Sequence, residues 1–180
     1  GLGDVYKRQT MMSGKYHPSH GIYTVSPSER GLDLTRKIIP TKNTENLSLD
    51  FFTIAEMLKS KGYVNAHIGK WHLGEKGHYP KDQGFDVNIG GWESGGPRGG
   101  YFSPYSNPNL ENGPDGEYLT DRLTEEAINF IDDNKDSKFF LHLAYYSVHT
   151  PIQSKKEYSN YFKNKSSDKN HNRADYAGMI

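Results

Sequence analysis

Apolar residues recur along this chain at two different periods. Over residues 118–134, Leu119, Leu123, Ala127, Phe130 and Ile131 return at the spacing of one helical face. Asp121, Arg122, Glu125, Glu126 and Asp132 fall mostly elsewhere and can stay in water. The pattern predicts an amphipathic helix over 119–133, broken by Asp132, Asp133 and Asn134. Residues 138–146 then form an apolar and aromatic run long enough for a buried strand. The same order occurs once before. Residues 51–60 read as a helix, with Ser48 as candidate N-cap and Gly62 at a left-handed position past the end. A short strand over 63–68 follows. Two helix-then-strand units predict an α/β fold, with the two strands parallel and adjacent or nearly so.

Elsewhere no period dominates. Residues 14–47 are polar and rich in turns. Residues 74–116 read as one long loop with many glycines and prolines, interspersed with Trp92, Tyr101, Phe102 and Tyr105. Loops of that length inside a compact domain serve function or are disordered, and the aromatics argue for order. Within it, Gly95, Gly96, Gly99 and Gly100 surround Arg98, either as a plain surface turn or as pliable backbone around one guanidinium. Residues 154–173 read as a solvated loop or weak helix, and 175–180 as the start of another helix.

Composition narrows the picture only a little. The 22 basic and 22 acidic residues cancel, so no broad basic field invites nucleic acid or a bilayer surface. No apolar run reaches the length of a membrane span. With no cysteine, the chain has no disulfide.

Candidate chemistry sits just past the two predicted strands. Gly69-Lys70-Trp71-His72-Leu73-Gly74 follows the first. Lys70 offers a fixed positive charge, and His72 a group able to change charge near neutral pH. Together they can converge on one small anion. The bland alternative is a turn with Lys70 solvated and His72 packed on Trp71. His149 stands past the second strand, two residues before Pro151. It is either a loop histidine set by the X-Pro bond or a partner of His72 at the edge where open α/β sheets bind ligands.

These motifs resemble those of the type I sulfatases, the arylsulfatase-like branch of the alkaline phosphatase superfamily. The string from Gly69 to Gly74 is similar to the family signature. His149-Thr150-Pro151 resembles the segment carrying its substrate-facing histidine, and Gly84-Phe85-Asp86 matches a further short motif. Met11-Met12-Ser13-Gly14-Lys15-Tyr16 looks like the stretch that follows the family's nucleophile. The resemblance implies part of an alkaline-phosphatase-like sandwich with a mainly parallel central sheet flanked by helices. Residues 10–180 would be a partial N-terminal catalytic domain.

By the same resemblance, Lys70 contacts the nucleophile or a sulfate oxygen. His72 hydrogen-bonds the nucleophile, and His149 protonates the leaving group. Arg98 and Trp92 would bind substrate, with a sulfated glycan as the expected class. The family's nucleophile is a formylglycine made from Cys or Ser in Cys/Ser-x-Pro-x-Arg, assisted by a divalent cation, usually Ca2+. Counting back ten residues from Gly14 reaches Asp4, which cannot become formylglycine. The chain shows no metal ligand set, and calcium's carboxylates are expected outside it. Residues 1–9 resemble a translated sequencing-adapter scar rather than a sulfatase, so they are expected to make no specific contact. Arg8, on the slot of the motif's arginine, then reads as coincidence. The chain is expected to be truncated at both ends and inactive alone, its parent enzyme periplasmic or secreted. Two alternatives stay open: a phosphoester or phosphonate hydrolase of the same superfamily, and a non-catalytic carbohydrate-binding protein on this fold.

Overall fold

The computed structural model describes residues 4–25, 32–166 and 172–180. Three strands, β1 (Val64–Gly69), β2 (Val87–Ile89) and β3 (Phe139–Ala144), form a sheet in the order β2-β1-β3. Both pairings are parallel, with Val64 opposite Phe139 and Gly69 opposite Ala144. The expectation of two adjacent parallel strands is met. The strand β1 is central and buried. The strand β3 is half-buried except at Ala144, because among the described residues it pairs on one side only.

Side chains of β1 alternate between two layers, as the pleat requires. Ala66 and Ile68 join Leu119, Leu123, Ala127 and Phe130 of helix α3 (Leu119–Asn134) in one core. Ile131, expected on that apolar face, is 40% exposed, because it lies off the stripe that Leu119, Leu123, Ala127 and Phe130 trace. The opposite side carries Asn65, whose Nδ2 donates to the Ala55 carbonyl of helix α2 (Ile54–Lys59) at 2.7 Å. There Met12, Leu47, Ala55, Trp71, Leu73 and Phe85 form a second core. Helices therefore cover both faces of the sheet, the sandwich arrangement the resemblance implied.

Two boundaries differ from the sequence reading. Helix α2 is capped by Thr53, not Ser48. The Glu56 amide donates to Thr53 Oγ1 at 3.2 Å, and the Thr53 amide to Glu56 Oε2 at 2.7 Å. This reciprocal box satisfies two otherwise orphaned donors. Ser48 Oγ instead accepts from the Asp50 amide at 3.2 Å in the preceding turn. Residues 74–116 are not one unbroken loop either, since they hold a 3-10 turn (Pro80–Gln83) and β2. Three residues of strand leave too little pattern to detect.

The chain's start is a larger correction. Helix α1 (Asp4–Ser13) begins inside the segment expected to stay apart from the core. Gln9, Met12 and Ser13 recur at helical spacing and are buried, and Arg8 lies on the same side. The Arg8 guanidinium donates from Nη1 to the Lys70 carbonyl at 2.6 Å. At the other end, α4 (Lys156–Lys163) forms within the stretch read as a loop or weak helix, and packs on α5 (Ala174–Ala177), near where a helix was expected to start. Residues 167–171 of that stretch lie outside the described residues. Among the described residues, no helix is long and apolar enough to cross a membrane.

The tightest point is Gly69, with φ of +102°. A Cβ there would stand 2.0 Å from the Ala144 carbonyl oxygen. Gly62 also has positive φ, 79°, but a Cβ there meets nothing within 4 Å. Gly69→Ala should therefore cost roughly 3 kcal/mol or more in urea unfolding, and Gly62→Ala about 1 kcal/mol. Equal losses would show that the contact with Ala144 is relaxed. Deleting residues 1–9 removes the Arg8 hydrogen bond and the buried Gln9, and should lower the thermal midpoint by several degrees.

Candidate active site

Strand β1 delivers its load through a turn that starts at Gly69. The Lys70 amide donates to the Ala144 carbonyl at 2.7 Å, so the turn is tied to the end of β3. Lys70 is buried, 4% exposed, and burial lowers its ammonium pKa to about 8. Trp71 fills the second core, and its Nε1–H donates to the His78 carbonyl at 2.9 Å. His72 then turns back with φ of 58°, the left-handed region that costs a non-glycine residue about 1 kcal/mol or more. Its amide donates to the Trp92 carbonyl at 3.0 Å, which anchors this strained residue to the long segment.

His149 follows β3 in the same way. Its amide donates to the Tyr146 carbonyl at 2.9 Å. The buried Tyr101 hydroxyl lies 2.8 Å from the Tyr146 carbonyl and 2.9 Å from that of His149, holding the turn from beneath. The ring is exposed, with Nδ1 2.7 Å from its neighbour's carbonyl at Thr150.

The glycine pair of the long segment brings the two histidines together. A Cβ on Gly95 would lie 2.3 Å from the His72 ring, and one on Gly96 2.8 Å from the His149 ring. Consecutive residues thus cover the two imidazoles, and only bare backbone can pass there. Lys70 and His149 both act electrostatically on His72, so the three stand near one another past the carboxyl ends of β1 and β3. His72 is held neutral, its pKa lowered to about 4 by burial and then by the charges of Lys70, Arg8 and His149. Its Nδ1 is buried with no hydrogen-bond partner among the described residues.

Arg8 belongs to this site as well. Its guanidinium acts on His72 and donates to the Lys70 carbonyl, so Arg8 does make specific contact with this turn. The signal was its position six residues before Gly14, where the motif's arginine falls. The side chain of Asp4, on the nucleophile's slot, lies outside the described residues.

A cavity of about 320 Å³ opens beside His72, lined by Arg98, Glu75, Glu93, Asn46 and Gly95 among others. Arg98 is exposed and stacks over Trp92, 5.2 Å from the ring centroid. Trp92 itself is 6% exposed. Of the two residues expected to bind substrate, Arg98 faces the cavity, while Trp92 supports it and anchors His72. Among the described residues, no three His, Cys, Asp or Glu side chains could hold a metal together. The groups converging at Lys70 do not fit Ca2+, which takes roughly six to eight oxygens. An ammonium, a guanidinium and imidazoles suit an anion instead.

The parallel sheet with helices on both faces makes an α/β protein of the alkaline-phosphatase-like class. Comparison with known proteins then fixes the family: the Sulfatase family model matches residues 7–180, and the chain belongs to that family. It is 28% identical over 170 residues to an uncharacterized sulfatase, YdeN, of Escherichia coli, covering 80% of this chain and 27% of that protein. It is 29% identical over 176 residues to N-acetylgalactosamine-6-sulfatase of Mus musculus, covering 84% and 32%. Among solved structures, Ps i-CgsB in complex with k-i-k-neocarrahexaose superposes with a TM-score of 0.68 at 28% identity, over 97% of this chain and 40% of that one. The chain thus spans about a third or less of the curated relatives it matches.

The charges predict how anion binding depends on pH. Lys70 loses its proton as pH rises through about 8, so the affinity for inorganic sulfate should fall there. Below pH 6, progressive protonation of His72 should strengthen binding, with proton uptake visible by calorimetry in two buffers. Affinity unchanged between pH 7 and 9 would separate Lys70 from the anion. Stability follows the opposite course. His72 titrates lower when folded than its ordinary 6.5, so its contribution is complete above that value. It is lost as pH falls from 6.5 toward 4, where the unfolded chain binds the proton first.

Proposed function

We propose that this chain carries the sulfate-facing half of a site that hydrolyses sulfate esters. The observation that supports the reading is the electrostatic action of Lys70, Arg8 and His149 on the buried His72, with Arg8 bonded to the Lys70 carbonyl. A transferring sulfuryl group spreads charge over its oxygens, and its leaving alcohol needs a proton. Lys70, protonated below about pH 8, supplies positive charge to a sulfate oxygen. His72, neutral and with an unpartnered buried Nδ1, exchanges a proton with an oxygen of the bound group. His149, exposed at the rim, protonates the departing alcohol. Arg8 keeps the Lys70 turn in place and adds positive potential.

Family resemblance assigns the nucleophile to formylglycine and charge neutralisation to Ca2+. Asp4 stands on the formylglycine slot and cannot be converted, and the described residues do not fit the ion. No step is therefore routed through either group. A sulfated glycan is the substrate class we favour. The neighbours support it by name: Ps i-CgsB is in complex with k-i-k-neocarrahexaose, and an N-acetylgalactosamine-6-sulfatase is among the relatives. Arg98 and the polar cavity beside His72 would receive the sugar.

Leaving groups test the assignment of His149. In the full-length protein, His149→Ala should reduce turnover of an alkyl or glycosyl sulfate by about 100-fold or more. An activated aryl sulfate, whose phenolate departs without much protonation, should lose far less. Equal losses on both would remove His149 as the acid. The corresponding phosphate esters form the control, and faster turnover of these would favour a phosphoester hydrolase on the same site.

A further inference from the structure

Beneath the site, β1 and β3 set two histidines opposite each other. His67 and His142 are register partners, and their Nδ1 atoms lie 2.8 Å apart. His67 is 0% exposed and packs edge-on against Trp71 at 5.0 Å and Phe85 at 5.6 Å. The chemistry proposed above uses neither ring.

A contact of that length between ring nitrogens holds one proton, so one N–H donates and the other nitrogen accepts. The second nitrogen of His67 decides which. Its Nε2 lies 3.1 Å from the Gly69 carbonyl oxygen, which can only accept, so Nε2 carries a hydrogen. In a neutral ring Nδ1 is then bare, and His142 Nδ1–H must donate to it. The other assignment makes His67 a buried imidazolium. Arg8, reaching in from α1, acts on both rings, and His142 acts on His67. A cation beside a guanidinium in an aromatic pocket is disfavoured, in line with the lowered pKa of both rings.

We propose that His142 and His67 are positioning residues: a directed relay, His142 Nδ1–H to His67 Nδ1 and His67 Nε2–H to the Gly69 carbonyl, fixes the turn that presents Lys70 and His72. With this relay, the backbone around Lys70 is held at three successive polar atoms. The Gly69 carbonyl accepts from His67, the Lys70 amide donates to Ala144, and the Lys70 carbonyl accepts from Arg8. The relay joins both strands of the site to one peptide. That this turn serves sulfate rests on the function proposed above, whereas the tautomers do not.

Nitrogen-15 imidazole NMR on the 180-residue chain tests the relay directly. At pH 7, His67 should show the Nε2–H tautomer and His142 the Nδ1–H tautomer, both still neutral at pH 6. His142→Asn places an amide N–H where Nδ1–H stood, and should keep the His67 tautomer and the wild-type affinity for inorganic sulfate. His142→Leu should release His67 to a tautomer mixture. It should also lower both hydrogen-exchange protection of the Lys70 amide and sulfate affinity by about three- to tenfold, the worth of one net hydrogen bond. Identical tautomers in the two wild-type rings, or a charged ring at pH 6, would overturn the proposal. So would a leucine variant that leaves the His67 tautomer and Lys70 protection unchanged. A wild-type chain that binds no sulfate would overturn the sulfate reading instead, leaving the relay to be decided by tautomer and exchange.

Discussion

The approach of Gly69 to the Ala144 carbonyl is the constraint on which the rest depends. Two parallel strands meet at their carboxyl ends with no room for even a methyl group between them. That closeness lets the Lys70 amide reach the Ala144 oxygen, and so joins the first functional turn to the strand that leads to the second. Were the strands to splay at this point, Lys70 and His149 would belong to separate surfaces. The alternation of β1 adds to the effect. Ala66 and Ile68 commit one face to α3, while Asn65 and His67 commit the other to polar bonds. A one-residue slip would place an amide and an imidazole in the apolar core, so register is strongly specified.

Electrostatics then give the cleft its character. Lys70 and Arg8 bring positive charge into a partly buried place, and burial keeps His72 neutral beside them. The arrangement sets cationic groups beside an imidazole that has shed its proton, which favours a negative group there, in keeping with the sulfate reading proposed above.

Much of this was legible in the sequence where a period or a motif carried it. Leu119, Leu123, Ala127 and Phe130 announced α3, and the string from Gly69 to Gly74 announced the site. Other features escaped for physical reasons. Val87, Asn88 and Ile89 make a strand too short to alternate visibly. Ser48 and Thr53 are both plausible caps, and only Thr53 has Glu56 three residues on, a signal that was present and passed over. The burial of Trp92 could not be read from its glycine-rich surroundings, which look the same for an exposed ring. Arg8 held the right slot, but its unfamiliar neighbours outweighed the count to Gly14. The pairing of His67 with His142 depends on register across residues distant in sequence, which no local pattern encodes.

Gly95 and Gly96 have a consequence for how such a site can diversify. The backbone that covers His72 and His149 contributes no side chain of its own. Side-chain variety along this segment begins just outward, at Glu93 on one flank and Arg98 on the other, both lining the cavity beside His72. Those two positions can change charge and size while the imidazoles and the peptide above them stay untouched. On the function proposed above, recognition and reaction are then written in adjacent but separable letters of one short segment.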